Sequence, residues 1–241
     1  MKIDYSYHYR KFNSGTPDNI KQVTAYYQRV LGPYLPENKE LPVLDIGCGM
    51  GFALMALKEF GFRHIYGIDS DEGQVASCKA SGLDVILTED STTYLNAHAG
   101  QYGLILALDL VEHIPPAEQI AFGRGMSTAL QTGGTLLAST PNATSILASR
   151  FRHLDWTHQT AFTEHSLDFL LHNCGFHEIQ VVELNYNSRP PLWWFPGRAG
   201  RHWWIFRFFR LWRRLQMMAE LGRTGRQVPL SPNLLAVARK P

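Results

Sequence analysis

The chain has 241 residues, 45% hydrophobic and 18% charged, with a formal net charge of +2. That is enough for one large α/β domain with an insertion, and the apolar content is that of an ordinary globular protein. No run of about 18 apolar residues occurs, which excludes a spanning helix. Three cysteines in unrelated contexts, Cys48, Cys78 and Cys174, exclude a paired disulfide framework and suggest reduced thiols in the cytoplasm.

The start, Met1 to Phe12, is polar and aromatic without an apolar core, so no secretory signal is expected. Gly15-Thr16-Pro17-Asp18 reads as a turn and helix start, and Asn19 to Leu31 as a helix stopped by Gly32-Pro33. Val43, Leu44 and Ile46 then form a short apolar run of the kind found in buried parallel strands. Gly47, Gly49 and Gly51 crowd its exit, and Phe52 to Phe60 follows as a helix. The unit is strand, glycine turn, helix, with free N–H groups aimed over the glycines. The spacing is Gly-x-Gly-x-Gly rather than the wider dinucleotide fingerprint. Asp45, two positions before the first glycine, suits an ammonium or sulfonium ligand and would repel a pyrophosphate.

Val43-Leu44-Asp45-Ile46-Gly47-Cys48-Gly49-Met50-Gly51 resembles motif I of the class I S-adenosylmethionine-dependent methyltransferases. The resemblance implies a Rossmann-like α/β fold of seven mostly parallel strands with helices on both faces. It implies S-adenosyl-L-methionine as cofactor, held by Asp45, Gly47, Cys48 and Gly49, with Tyr9 or Arg10 of an N-terminal helical cap (1–40) touching it; ordinary packing is the alternative for those two. His64 to Asp69 reads as the second strand. Asp69, with Ser70 beside it, is placed to accept two hydrogen bonds from a ribose diol; a helix cap before Asp71-Glu72 is the alternative. A helix from Glu72 to Ala80 ends at Gly82. Leu83 to Leu87 is a third strand. After it, by resemblance, Asp90 accepts from the adenine amino group with the Ser91 amide nearby; Asp90 as a simple cap for 91–97 is the alternative.

Tyr102 to Asp109 is a fully apolar fourth strand, followed by Leu110-Val111-Glu112-His113. The pattern is similar to the ubiquinone-biosynthesis O-methyltransferases, some of which hold a divalent cation here, at positions matching Asp109, Glu112 and His113. The reading favoured has no metal: Asp109, beside Leu110, seats the methionine ammonium while Glu112 and His113 shape the pocket floor. Glu118 to Leu130 is a helix and Thr135 to Thr140 a fifth strand. From Ala143 to His158 no periodicity appears, and a long irregular segment is usually functional. His158 is the natural general base, with Asp155 as orienting partner and His113 as the further catalytic candidate. Glu164 to Cys174 is a helix, Phe176 to Leu184 a sixth strand, and Leu234 to Arg239 a seventh, antiparallel to the sixth as in the family.

The insertion, 187–231, is basic and aromatic. Arg198 to Arg226 holds eight arginines against Glu220, giving +7, so the remainder carries −5. On a helix over 203–218, Trp204, Phe208, Leu211, Trp212 and Leu215 share one face and Arg207, Arg210 and Arg214 the opposite one. That pattern is expected to dock 198–218 on an anionic membrane surface; packing on the sheet edge or in a homodimer is the alternative. Nucleic acid is not expected, because the aromatics and arginines do not interleave. The whole chain reads as one cytoplasmic methyltransferase domain, peripheral at the inner membrane face if the insertion docks there. It would O-methylate a sugar or lipid-linked acceptor, with a prenylated quinone precursor or other phenol second. A dinucleotide oxidoreductase would need the wider glycine spacing, and a non-catalytic nucleotide-binding module would not need the full set of acids.

Overall fold

Alternation of core residues decides the layering. A computed structural model describes residues 16–184 and 198–241, and side chains for 16–184 and 201–241. Tyr9, Arg10 and the insertion's opening, 187–197, lie outside the described residues. The central strand β1 (Val43–Ile46) is buried at every position. It pairs in parallel with β2 (Ile65–Asp69) on one side and β4 (Tyr102–Leu108) on the other. Outside these lie β3 (Val85–Leu87), parallel to β2, and β5 (Leu130–Pro141), parallel to β4. β7 (Asn233–Arg239) inserts antiparallel between β5 and β6 (His177–Leu184). The seven-stranded sheet has the order β3-β2-β1-β4-β5-β7-β6.

Side chains alternate between faces along each strand. Leu44, Ile46 and Ile105 join one core with Phe122, Met126, Leu167 and Leu171. Val43, Leu104 and Leu106 join the other with Leu31, Leu54, Leu57 and Val75. The first core is covered by α5 (Gln119–Ala129) and α7 (Glu164–Asn173), the second by α1 (Pro17–Leu31), α2 (Phe52–Glu59) and α3 (Glu72–Ala80). Several starts follow the expected chemistry. Thr16 caps α1 with Pro17 in its first turn, Asp71 caps α3, and Asp90 caps α4 (Ser91–Ala97). Thr163 and Ser166 form a capping box on α7.

Two regions depart from the expected elements. The 143–158 segment is not wholly irregular: it contains α6 (Ala148–Leu154). None of its residues is buried, so no apolar stripe marked it. The insertion helix α8 (Arg198–Leu221) is 24 residues long, longer than the 203–218 centre. No described helix is long and apolar enough to cross a membrane.

The strand order reverses between β1 and β4, and a crevice opens there at the C-terminal ends of the strands. Since β5 and β6 both run opposite to β7, β6 ends at that same edge. The insertion therefore leaves from Leu184 and returns at Asn233, both beside the crevice.

Candidate active site

The glycine turn after β1 is held from two sides. Gly47 N and Cys48 N donate to Ile68 O at 2.8 and 3.1 Å. Gly49 N donates to Asp69 Oδ2 at 2.8 Å, and Asp71 N to Oδ1 of the same carboxylate at 2.8 Å. Gly51 has φ +76°, and a Cβ there would lie 2.4 Å from Leu83 Cδ1. Gly47 has φ +67°, and its missing Cβ would stand 3.0 Å from Leu110 Cδ1. Glycine is required at both, and the second contact seats the loop after β4 on the turn.

Asp45 is buried on the same side of β1 as Val43. Burial, and then the Asp69 charge, raise its pKa well above the ordinary carboxylate value. Burial also raises Asp69, against the N–H donors of Asp71, Gly49 and Ser70, which favour its charged form. Two buried acids beside a glycine cradle, one of them raised further by the charge of the other, fit a cationic ligand, because a sulfonium or ammonium would relieve the repulsion. Cys48 lines this turn as packing. Its hydrogen bond with Cys78, and its burial, hold its thiol far above the usual range, and Cys78 Sγ donates to Gly49 O at 3.1 Å. Asp90 sits apart from this cradle, on the exposed N-terminus of α4. Its carboxylate accepts from Thr93 N at 2.9 Å and Thr93 Oγ1 at 2.6 Å, and the side-chain bond chiefly lowers its pKa. The Ser91 amide stands in the first turn of that helix.

Past β4 the chain turns sharply. Asp109 has φ +49°, a left-handed conformation that Asp tolerates better than most residues. The residue is exposed as a whole, although protein atoms surround its carboxylate, whose Oδ1 accepts from Ser139 Oγ and from Asn233 Nδ2, each at 3.0 Å. Protein atoms crowding the carboxylate raise its pKa; the Ser139 bond opposes this most.

Glu112 is fully buried, and neither carboxylate oxygen has a hydrogen-bond partner of good geometry; the neighbouring Thr140 hydroxyl favours its charged form only weakly against burial. Burial, and then the Asp109 charge, push its pKa well above the ordinary value. His158 Nε2 lies 4.0 Å from Glu112 Oε1. The rings of His113 and His158 stand 4.6 Å apart in an edge-to-face arrangement. The backbone locks this group: Gln159 N donates to Glu112 O at 2.7 Å, and Gln119 Nε2 joins Ile114 O to Thr160 Oγ1 at 3.0 and 2.8 Å.

The hydrogen bonds also assign the tautomers. His158 Nδ1 lies 3.0 Å from Phe151 O; a carbonyl only accepts, so Nδ1 carries the proton and Nε2 the lone pair. Thr157 Oγ1 donates to Asp155 Oδ1 at 2.7 Å, so it accepts from His113 Nδ1 at 2.8 Å. Asp155 thus orients His113 through Thr157, and acts on His158 electrostatically. Burial lowers the His158 pKa most, and the Asp155 charge opposes that shift.

The structure therefore brings Glu112, His113 and His158 together, one ligand atom from each lying within 4.8 Å of the others. Two imidazoles and a carboxylate with unsatisfied oxygens are a donor set that fits a divalent cation. This set differs from the sequence trio in taking His158 instead of Asp109, whose Oδ1 is committed to Ser139 and Asn233. Ser139, Asn233 and Thr157 were missed by sequence reasoning. Each supports a site residue from a distant stretch, and no local motif marks them.

This geometry is that of a class I methyltransferase, with acids and a glycine turn at the strand ends and an acid beside two histidines past the fourth strand. The family model described as a methyltransferase domain matches residues 18–181, and the chain belongs to that family: it is by class an S-adenosylmethionine-dependent methyltransferase. A ubiquinone biosynthesis O-methyltransferase of Psychrobacter arcticus is 27% identical over 200 residues, covering 73% of this chain and 74% of that protein. The corresponding enzyme of Marinobacter nauticus is 35% identical over 107 residues, covering 41% of this chain and 43% of that protein, less than half the relative's length. Among solved structures, a methyltransferase of Archaeoglobus fulgidus superposes with a TM-score of 0.69 at 21% identity, over 98% of this chain and 100% of that one. A phosphoethanolamine N-methyltransferase of Haemonchus contortus, in complex with S-adenosyl-L-methionine, superposes at 0.60 and 15% identity, over 97% of this chain and 59% of that one.

Proposed function

We propose that the chain transfers the methyl group of S-adenosylmethionine to a hydroxyl oxygen of a sugar or lipid-linked acceptor, with His158 as general base. The bound cofactor supplies an activated sulfonium methyl whose leaving group is a neutral thioether. A hydroxyl nucleophile must lose its proton as it attacks, whereas a neutral amine attacks with its own lone pair, so a placed base favours oxygen. The observation that carries the reading is the His158 tautomer: Nδ1–H is fixed on Phe151 O and the basic Nε2 faces the crevice acid Glu112. The lowered pKa keeps this imidazole neutral near pH 7, the form that accepts a proton. Thr157 and Asp155 hold His113 beside it, and Asp45, Asp69 and Asp109 supply negative charge on the cofactor side. If Glu112, His113 and His158 hold a divalent cation, it would add Lewis-acid charge where the acceptor oxygen comes in.

A lipid-linked acceptor is favoured by the apolar surface around the crevice edge, where Ile146 and Trp156 are 72% and 73% exposed. A prenylated phenol is the second reading. The names of the Psychrobacter and Marinobacter relatives, ubiquinone biosynthesis O-methyltransferases, favour it, and it shares the same need for a base. Purified protein with methyl-labelled S-adenosylmethionine should be offered a membrane-lipid extract, a soluble sugar fraction and a prenylated catechol. Label in an alkali-stable ether of a lipid-linked glycan bears the proposal out. Label on the catechol selects the second reading, and label on an amine overturns both.

A further inference from the structure

The sequence places large apolar groups on one face of α8 and arginines on the other, and the fold turns that helix opposite to the usual way. Of the arginines on that second face, Arg210 and Arg214 turn to the protein. Arg210 pairs with Glu183, Arg214 lies 3.7 Å from the same carboxylate, and Arg214 Nη1 donates to Gly225 O and Val228 O at 2.9 and 2.6 Å. Leu230 N closes the cluster onto Glu183 Oε1 at 2.5 Å. The apolar side faces out: Trp204 is 69% exposed, Phe208 64%, Leu211 60%, Trp212 54% and Leu215 51%. At 1.5 Å per residue the helix is about 36 Å long. Soluble proteins rarely leave an apolar strip of that length uncovered.

We propose that this outer face of α8 docks on an anionic lipid bilayer. Charge chooses the occupant. Arg201, Arg207, Arg213, Arg223 and Arg226 are exposed or half-exposed on the helix and its C-terminal turn, with Glu220 as the one acid among them. Arg207 lies at the rim of the strip, with its guanidinium 5.5 Å from the Trp203 ring centre. A second copy laid on this face by a two-fold axis would bring the same excess of arginines against itself. Anionic headgroups would neutralise it, while Trp and Leu enter the headgroup and acyl boundary. Position agrees: the insertion leaves and re-enters the sheet beside the crevice, and Ile146 and Trp156 stand exposed on the segment after β5, at the same edge. A bilayer on that edge meets the mouth of the site.

The test is co-sedimentation with phosphatidylcholine vesicles, with and without phosphatidylglycerol, using the whole protein without cofactor or acceptor. It is therefore independent of the proposed reaction. Binding should require phosphatidylglycerol, weaken with salt, and shift tryptophan emission to the blue. The triple variant R201Q/R207Q/R213Q should bind about a hundredfold more weakly, each arginine near an anionic surface counting for close to a factor of five. The variant W204S/F208S/W212S should lose the blue shift and most binding. Unchanged far-ultraviolet circular dichroism would establish that both variants are folded. No binding to phosphatidylglycerol vesicles, equal binding to neutral ones, or a dimer that W204S/F208S/W212S converts to monomer would overturn the proposal.

Discussion

Asp69 ends one parallel strand and Glu112 lies just past another, and their surroundings are opposite. Asp69 receives a backbone N–H on each oxygen, from Gly49 and Asp71, and is partly open. Glu112 is sealed, with neither oxygen in a hydrogen bond of good geometry and its nearest cation-former, His158, at 4.0 Å. The first is a carboxylate already satisfied by the backbone on both oxygens, with lone pairs left over for further donors. The second carries a desolvation cost that a proton, a cation or a charged imidazolium would relieve. A pocket can thus hold one acid ready for recognition and another out of equilibrium with its surroundings, within one crevice.

The sharpest test of the contrast is catalytic. His158→Ala should lower turnover by about 10²- to 10⁴-fold while S-adenosylmethionine affinity, read by calorimetry, stays unchanged. Full activity in that variant would remove the base from the mechanism. If EDTA abolishes turnover and a divalent ion restores it, the trio Glu112, His113 and His158 acts as a metal site.

On the recognition side, Asp69→Ala should weaken cofactor binding by about 1.5–3 kcal/mol, the scale for hydrogen bonds to a charged group. Part of that loss would come from the freed Gly49 and Asp71 amides. Unaltered affinity would detach Asp69 from the cofactor.

Glu112→Gln should stabilise the fold at neutral pH. The folded-state pKa of Glu112 lies above its unfolded value, so the native state binds the extra proton. Its stability contribution is full below the unfolded pKa and is lost as pH rises toward the folded pKa. A neutral amide removes that loss, and each kcal/mol relieved should raise Tm by about 2–4 °C in a chain of this size. A lower Tm at pH 7 would mean that the carboxylate is satisfied in solution.

The smallest effect is expected from Asp155→Asn. The Asp155 charge raises the His158 pKa against the larger effect of burial. Removing it should therefore move the acid limb of the pH–rate profile to lower pH, with only a modest change in maximal rate.

The glycine turn after β1 was legible because its signals are local. Asp45 and the glycines lie within seven residues, and each glycine answers a turn or a contact that forbids a Cβ. Strand alternation likewise placed the sheet. The group around Glu112, His113 and His158 is assembled across long sequence distances, as when Thr157 meets His113, and only the elements between them bring it together. His158, Asp155 and the motif at 109–113 could be picked by residue type, but their partners could not. α8 shows a different limit. Its amphipathic wheel is plain in the sequence, yet only Glu183, on the last strand before the insertion, decides that Arg210 and Arg214 turn inward.

The antiparallel β7 bears on how the protein is made. Asn233, at its start, bonds to Asp109, 124 residues earlier. β6 reaches the rest of the sheet through β7 alone. While the chain emerges from the ribosome, β6 has no lateral partner in the sheet and the Asp109 turn lacks its Asn233 support until β7 is released. A stop codon before residue 233 would therefore strip two strands from the sheet rather than one and leave the crevice unbraced.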